Sequence, residues 1–241
     1  MGLAENLETV RSRMTAACAR AGRSVADVTL MAVTKGQSPE SVAQAADLGL
    51  TLFGENRVQE AKIKIGQCPR QLHWQMIGHL QSNKCRDAVH FFEMIQSVDS
   101  LELARELDNA AAKAAKRTPV LLEVNMAGEA TKFGYKPEIL LEELPALNSL
   151  NRLEIHGLMA IAPWTAEPER VRPVFRALRE LKRRCDDVLG APMAHLSMGM
   201  SGDFEVAIEE GSTLIRIGTA LFGPRGSKSP QHFEPKHLTT G

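Results

Sequence analysis

The sequence has no excess of charge of either sign: 29 Lys and Arg balance 29 Asp and Glu over 241 residues. A protein that grips nucleic acid through its phosphates needs a basic surplus, so that class is disfavoured. No apolar run approaches the roughly 20 residues that cross a bilayer, so no membrane span is expected. The opening residues, MGLAENLETVRSRM, carry charge in a helical pattern and lack the features of a secretory signal. Cys18, Cys68, Cys85 and Cys185 form no CxxC pair and keep no zinc spacing with histidine. Free thiols of a reducing cytoplasm are therefore expected, and no metal site. HxH and HExxH are missing among the seven histidines, and His195 reads as a core residue. Also missing are Walker A and a GxGxxG turn after the first strand, which counts against an open doubly wound sheet, the rival to a closed barrel. There is a single tyrosine, Tyr135.

What is present is alternation. An apolar content of 44% and a charged content of 24% belong to an ordinary globular chain. Eight short apolar runs read as strands, over 28–34, 51–54, 73–77, 92–97, 119–125, 154–161, 193–197 and 214–218. Between them, helical periodicity covers 39–48, 57–65, 100–116, 137–147, 168–189 and 203–210. A further helix over 3–21 precedes the first strand and ends at Gly22. Ser38 before Pro39 is an N-cap followed by proline at the first helical position. Strand–helix alternation makes a parallel sheet with crossover helices, and eight units suggest a closed (β/α)8 barrel with an extra N-terminal helix. The expected division is one barrel domain over 1–225 and a polar, disordered tail over 226–241.

Active residues of such barrels sit at the carboxyl ends of the strands. The run VTLMAVTK ends there on Lys35, which alternates with Met31 and Val33 and would stand at the barrel mouth. Burial lowers a lysine pKa and makes its amine a nucleophile; the bland alternative is a lysine that has left the strand for solvent. Arg216 lies inside the apolar LIRIG and cannot shed its charge, so it needs a buried carboxylate or a ligand as acceptor. Gly218 and Thr219 end the eighth strand where a short helix starts, and Ser201 stands before GDFEVAIEEG as a natural N-cap. The loops after strands seven and eight are the usual phosphate site of these barrels. The set reads as one phosphate pocket, one inward arginine and one lysine across the mouth. It fits pyridoxal 5′-phosphate (PLP), with the aldehyde on Lys35, the phosphate on Ser201, Gly218 and Thr219, and Arg216 facing the pyridine nitrogen.

Those residues lie in an ordered series of motifs: AVTK, FGENRVQEA, IGHLQSNK, EVNMAGEATKFG, GLMAI and LSMGMSGDFEVAIEEGSTLIRIGTALFG. The series resembles the pyridoxal phosphate homeostasis protein family, single-domain relatives of the N-terminal barrel of bacterial alanine racemase. The resemblance covers about residues 3–225. It implies an aldimine at Lys35, phosphate contacts at Ser201, Gly218 and Thr219, Arg216 at the pyridine nitrogen, and Asn56 near the cofactor ring. It also implies a role in cofactor homeostasis, buffering PLP or delivering it to PLP-dependent apoenzymes, without catalytic residues. Arg57 stands where the family often has an aromatic, and Thr131 and Phe133 depart from its pattern in the loop after strand five.

The alternative is a racemase of the alanine racemase type. In those enzymes a lysine serves one face of the substrate and a tyrosine from a second domain the other. Here the chain ends about where the barrel ends, and Tyr135 reads as a rim residue, so one base is missing. A cation at the pyridine nitrogen opposes its protonation and weakens the ring as an electron sink, which disfavours transaminase or decarboxylase chemistry and leaves racemisation open. Lys84 is a second lysine near the mouth, read as a solvated helix residue or an aldehyde-handling one. The expected form is a cytoplasmic monomer.

Overall fold

A computed structural model of the chain describes residues 2–129 and 132–224. The expected tail over 226–241 and Thr131 lie outside the described residues. Eight strands, β1 (Thr29–Val33), β2 (Leu52–Glu55), β3 (His73–Met76), β4 (Met94–Val98), β5 (Thr118–Glu123), β6 (Leu153–Met159), β7 (His195–Ser197) and β8 (Leu214–Ile217), form a closed barrel in chain order. Each pairs in parallel with the next, and β8 closes on β1 with Arg216 opposite Met31.

The helices are α1 (Leu3–Arg20), α2 (Pro39–Asp47), α3 (Val58–Ile65), α4 (Cys85–Phe91), α5 (Leu101–Lys113), α6 (Pro137–Asn148), α7 (Arg172–Leu189), α8 (Phe204–Glu209) and α9 (Thr219–Phe222). All eight expected strands are present, with ends that differ by one or two residues. The sequence reading passed over α4, whose seven residues give too few turns for periodicity to register. Local chemistry explains the starts: Ser38 accepts the Ser41 N–H ahead of α2, and Ser100 accepts the Leu103 N–H ahead of α5. The spacing of Phe175, Leu178, Leu181 and Cys185 buries one stripe of the long α7. The extra helix α1 packs against α8 and α9.

Alternation divides the core. Outward strand residues such as Phe53, Trp74, Val120, Leu122, Leu158, Ile215 and Ile217 join the apolar shell beneath the helices. Inside the barrel lie two small apolar groups, Met31, Val33, Ile77 and Leu214, and Met94, Leu121 and Met159. Gln75, Gln96, Glu123, Ser197 and Arg216 are buried polar residues on the strands. Strands β6 and β7 approach so closely at Gly157 that a Cβ there would fall on the His195 carbonyl. The four cysteines are free thiols. Among the described residues no helix is long and apolar enough to cross a membrane.

Candidate functional site at the barrel mouth

Beyond Val33 the chain adds Thr34 and Lys35 and then turns. Gly36 takes φ +73°, left-handed backbone that any side chain opposes. Lys35 is half-buried and, with Val33, lines a cavity of about 490 Å³ at the strands' carboxyl ends. Asn56, Ser201, Arg216, Gly218 and Thr219 line the same cavity. The structure thus gathers all six residues singled out in the sequence. Their relation differs from the expectation in one respect: the barrel closes between β8 and β1, so Lys35, two residues past the end of β1, lies next to the strand that carries Arg216, not across the mouth.

Arg216 is 4% exposed. Its Nη1 donates to Ser197 Oγ at 2.7 Å and its Nη2 to the Ala160 carbonyl at 2.9 Å. Ser197 donates onward to Gln96 Oε1 at 2.7 Å, and Gln96 Nε2 to Gln75 Oε1 at 2.5 Å. A polar chain from β3, β4 and β7 thereby holds the guanidinium. Those two protein partners are neutral, so no buried carboxylate bonds the guanidinium among the described residues. Burial pulls the Arg216 pKa down to about 10, opposed by Glu123 and Asp203. The carboxylates answer in kind. Burial and the nearby Asp99 push Glu123 up to about 7, against the pull of Arg216. Burial also raises Asp203, which accepts the Met200 N–H at 2.6 Å.

Ser201 departs from its expected role. The N-cap position of α8 is Asp203, and Ser201 Oγ instead accepts the Ala220 N–H of α9 at 3.1 Å. A hydroxyl that accepts still has its own proton to give. Ser201 therefore presents a donor beside Gly218 and Thr219. Asn56 contributes an amide whose Oδ1 is buried without a partner. A buried polar atom left alone costs free energy that a bound polar ligand recovers. An anion-accepting corner, a buried cation, an amine and an orphaned amide oxygen in one cavity suit the groups of PLP.

Two hollows adjoin the cavity. One, of about 410 Å³, is lined by Asn56, His79 and Lys84. Lys84 ends a 3₁₀ turn (Ser82–Lys84) rather than riding on a helix. The His79 ring stacks on Phe133 with centroids 3.6 Å apart, and its Nδ1 lies 3.1 Å from Asp99 Oδ2. The other, about 170 Å³, lies over Glu123 and Lys132. Trp164, 91% exposed, stands at the rim of the main cavity.

Tyr135 is corrected. It is 4% exposed within the apolar shell, not on the rim, and is absent from the cavity lining. The loop from Val124 returns as an isolated bridge to Tyr135, which draws the ring inward. Burial, then Glu143 and Asp99, raise its pKa well above the ordinary value. His195 lies at the amino end of β7, half-buried, its pKa lowered by burial and by His156. Glu123, Asp203, Ser197 and Trp164 were not singled out in the sequence. Only Glu123 gave a signal, as a carboxylate on the inward face of an apolar strand.

The family model described as alanine racemase, N-terminal domain, matches residues 3–226. Pyridoxal phosphate homeostasis proteins from Aquifex aeolicus (43% identical, covering 93% of this chain and 99% of that protein) and Escherichia coli K12 (38% identical, 92% and 97%) are similar over nearly their whole length. PipY of Synechococcus elongatus has been solved with PLP bound, at TM-score 0.81, 36% identity and 92% coverage of this chain. The same protein without PLP gives TM-score 0.83 and 37% identity and is covered in full. An alanine racemase from Clostridium difficile shares the fold at TM-score 0.71 and 18% identity, and this chain spans 58% of it. The chain belongs to the alanine racemase N-terminal domain family, within its single-barrel group of pyridoxal phosphate homeostasis proteins.

Proposed function

We propose that the chain binds PLP in the mouth cavity, holds it covalently through Lys35, and stores or hands on the cofactor instead of turning over a substrate. The observation that carries this reading is the convergence of Lys35, Arg216 and the Ser201–Gly218–Thr219 corner on one cavity. PLP supplies an aldehyde that condenses with an amine and a ring able to accept electrons. Lys35 would hold the cofactor through its amine, exchanging the aldehyde C=O for a C=N with release of water. Ser201 and the backbone about Gly218 and Thr219 receive the phosphate. Asn56 faces the ring, and Arg216 stands at the pyridine nitrogen, where its fixed charge opposes protonation.

Storage is favoured over racemisation because Tyr135, the single tyrosine, is packed away from the cavity. The reading carries with it a cytoplasmic monomer that supplies PLP-dependent apoenzymes. PLP titrated into the protein should produce an imine absorbance band that Lys35→Ala abolishes. With PLP bound, alanine and other amino acids should show no sustained racemisation. Multiple turnover that disappears in Lys35→Ala would replace storage with the racemase reading.

A further inference from the structure

The turn that carries Lys35 is held from behind by charged side chains of α3. Lys64 Nζ, on a residue 4% exposed, donates three bonds: to the Thr34 carbonyl at 2.6 Å, to Glu55 Oε1 at 2.6 Å and to Glu60 Oε1 at 3.1 Å. An ammonium has three protons to give, so this inventory is complete. Glu60 Oε1 in turn accepts the Gly36 N–H at 2.6 Å. The fully buried Glu55 also accepts the Thr34 hydroxyl at 2.6 Å. The carbonyl just before Lys35 and the N–H just after it are thus bound by two residues of one helix, which are themselves ion-paired.

We propose that Glu60 and Lys64, joined through Glu55, are positioning residues that clamp both peptide groups flanking Lys35 and so aim its amine at the cofactor. The clamp rests on the reading that Lys35 bonds PLP. Taking an ammonium and a carboxylate out of water costs several kcal/mol per ion, and an apolar pair of equal volume commonly packs as well. Stability alone therefore gives little reason for this pair. Geometry gives one: with its neighbouring carbonyl and N–H pinned, Lys35 keeps a fixed Cα–Cβ direction. A misplacement of about 1 Å can cost a reacting group two orders of magnitude. Since only Asn56 and Arg57 separate α3 from Glu55 at the end of β2, the clamp also ties the Lys35 turn to the Asn56 wall of the cavity.

The test uses the full chain and two probes, PLP and pyridoxamine 5′-phosphate, which lacks the aldehyde and cannot condense with Lys35. Glu60 is the tractable position, with its side chain 31% exposed. The clamp predicts that Glu60→Ala weakens PLP binding about tenfold and slows growth of the imine band. It leaves pyridoxamine 5′-phosphate within about twofold of wild type, the usual scatter between independent sites. Glu60→Gln, which keeps an acceptor for the Gly36 N–H, should recover most of the loss. The buried pair is probed by Lys64→Met together with Glu55→Gln, which leaves only the part-exposed Glu60 carboxylate without its ion pair, and should show the same split between probes. Equal weakening of both probes would mean that α3 merely holds the fold, and no weakening of PLP would mean that the turn needs no clamp; either overturns the proposal. If wild type itself binds both probes alike and borohydride labels no Lys35, the cofactor reading has failed and the clamp falls with it, an outcome distinct from the others.

Discussion

Arg216 keeps a cation inside a barrel at 4% exposure because Ser197 and Ala160 accept from two of its nitrogens. A lysine has a single point charge and no fork, so it cannot span both acceptors. Arg216→Lys should therefore leave one buried acceptor unmet and cost about 2 kcal/mol, a fall in Tm of about 5 °C for a domain of this size. Glu123 permits a sharper test. Its pKa in the folded chain is about 7 against an ordinary 4.5, so the native state holds the proton more tightly than the unfolded chain. That contribution to stability is complete below pH 4.5 and is lost as the pH rises to about 7. Glu123→Gln removes the loss. Its stability relative to wild type should climb across that window by on the order of 3 kcal/mol, at about 1.4 kcal/mol per pKa unit, and then level off. Thermal melts of both proteins at intervals from pH 4 to pH 8 check this; a difference that stays flat with pH would contradict the burial of an ionisable Glu123.

The elements carry the next set of expectations. Ser38 closes the start of α2 by accepting the Ser41 N–H, and Ser38→Ala should cost about 1 kcal/mol in denaturant unfolding. At Gly36 a Cβ would meet nothing within 4 Å, so the cost of Gly36→Ala is conformational and not steric. With φ at +73° it should again be about 1 kcal/mol. These elements are legible in the sequence, because apolar runs, caps and helical spacing are local signals. Lys35 and Arg216 stood out for the same reason, as single charges in apolar strands. The rest of the mouth was harder to read. A glutamine or serine on a strand, such as Gln75, Gln96 or Ser197, looks the same whether it faces solvent or the inside of a barrel. Lys64 sits in a helix rich in lysine and reads as solvated, yet the fold turns it onto Thr34. Ser201 was mistaken for a cap because its tie to Ala220 joins segments 19 residues apart, a relation no local pattern records. Tyr135 was misplaced for a similar reason: its loop folds back onto β5 through Val124.

At the scale of the whole molecule, parallel closure of β8 on β1 makes the site. It sets Lys35 beside Arg216, opens both onto a cavity of about 490 Å³, and brings the α9 corner and Asn56 to the same space. The proposed function depends on one covalent attachment within that arrangement. The most direct test is to load the purified chain with PLP, reduce it with borohydride, digest it, and locate the modified peptide by mass spectrometry. The account predicts one phosphopyridoxyl group, on Lys35, and none in Lys35→Ala. A label on Lys84 or any other lysine in place of Lys35, or no label at all, would contradict it.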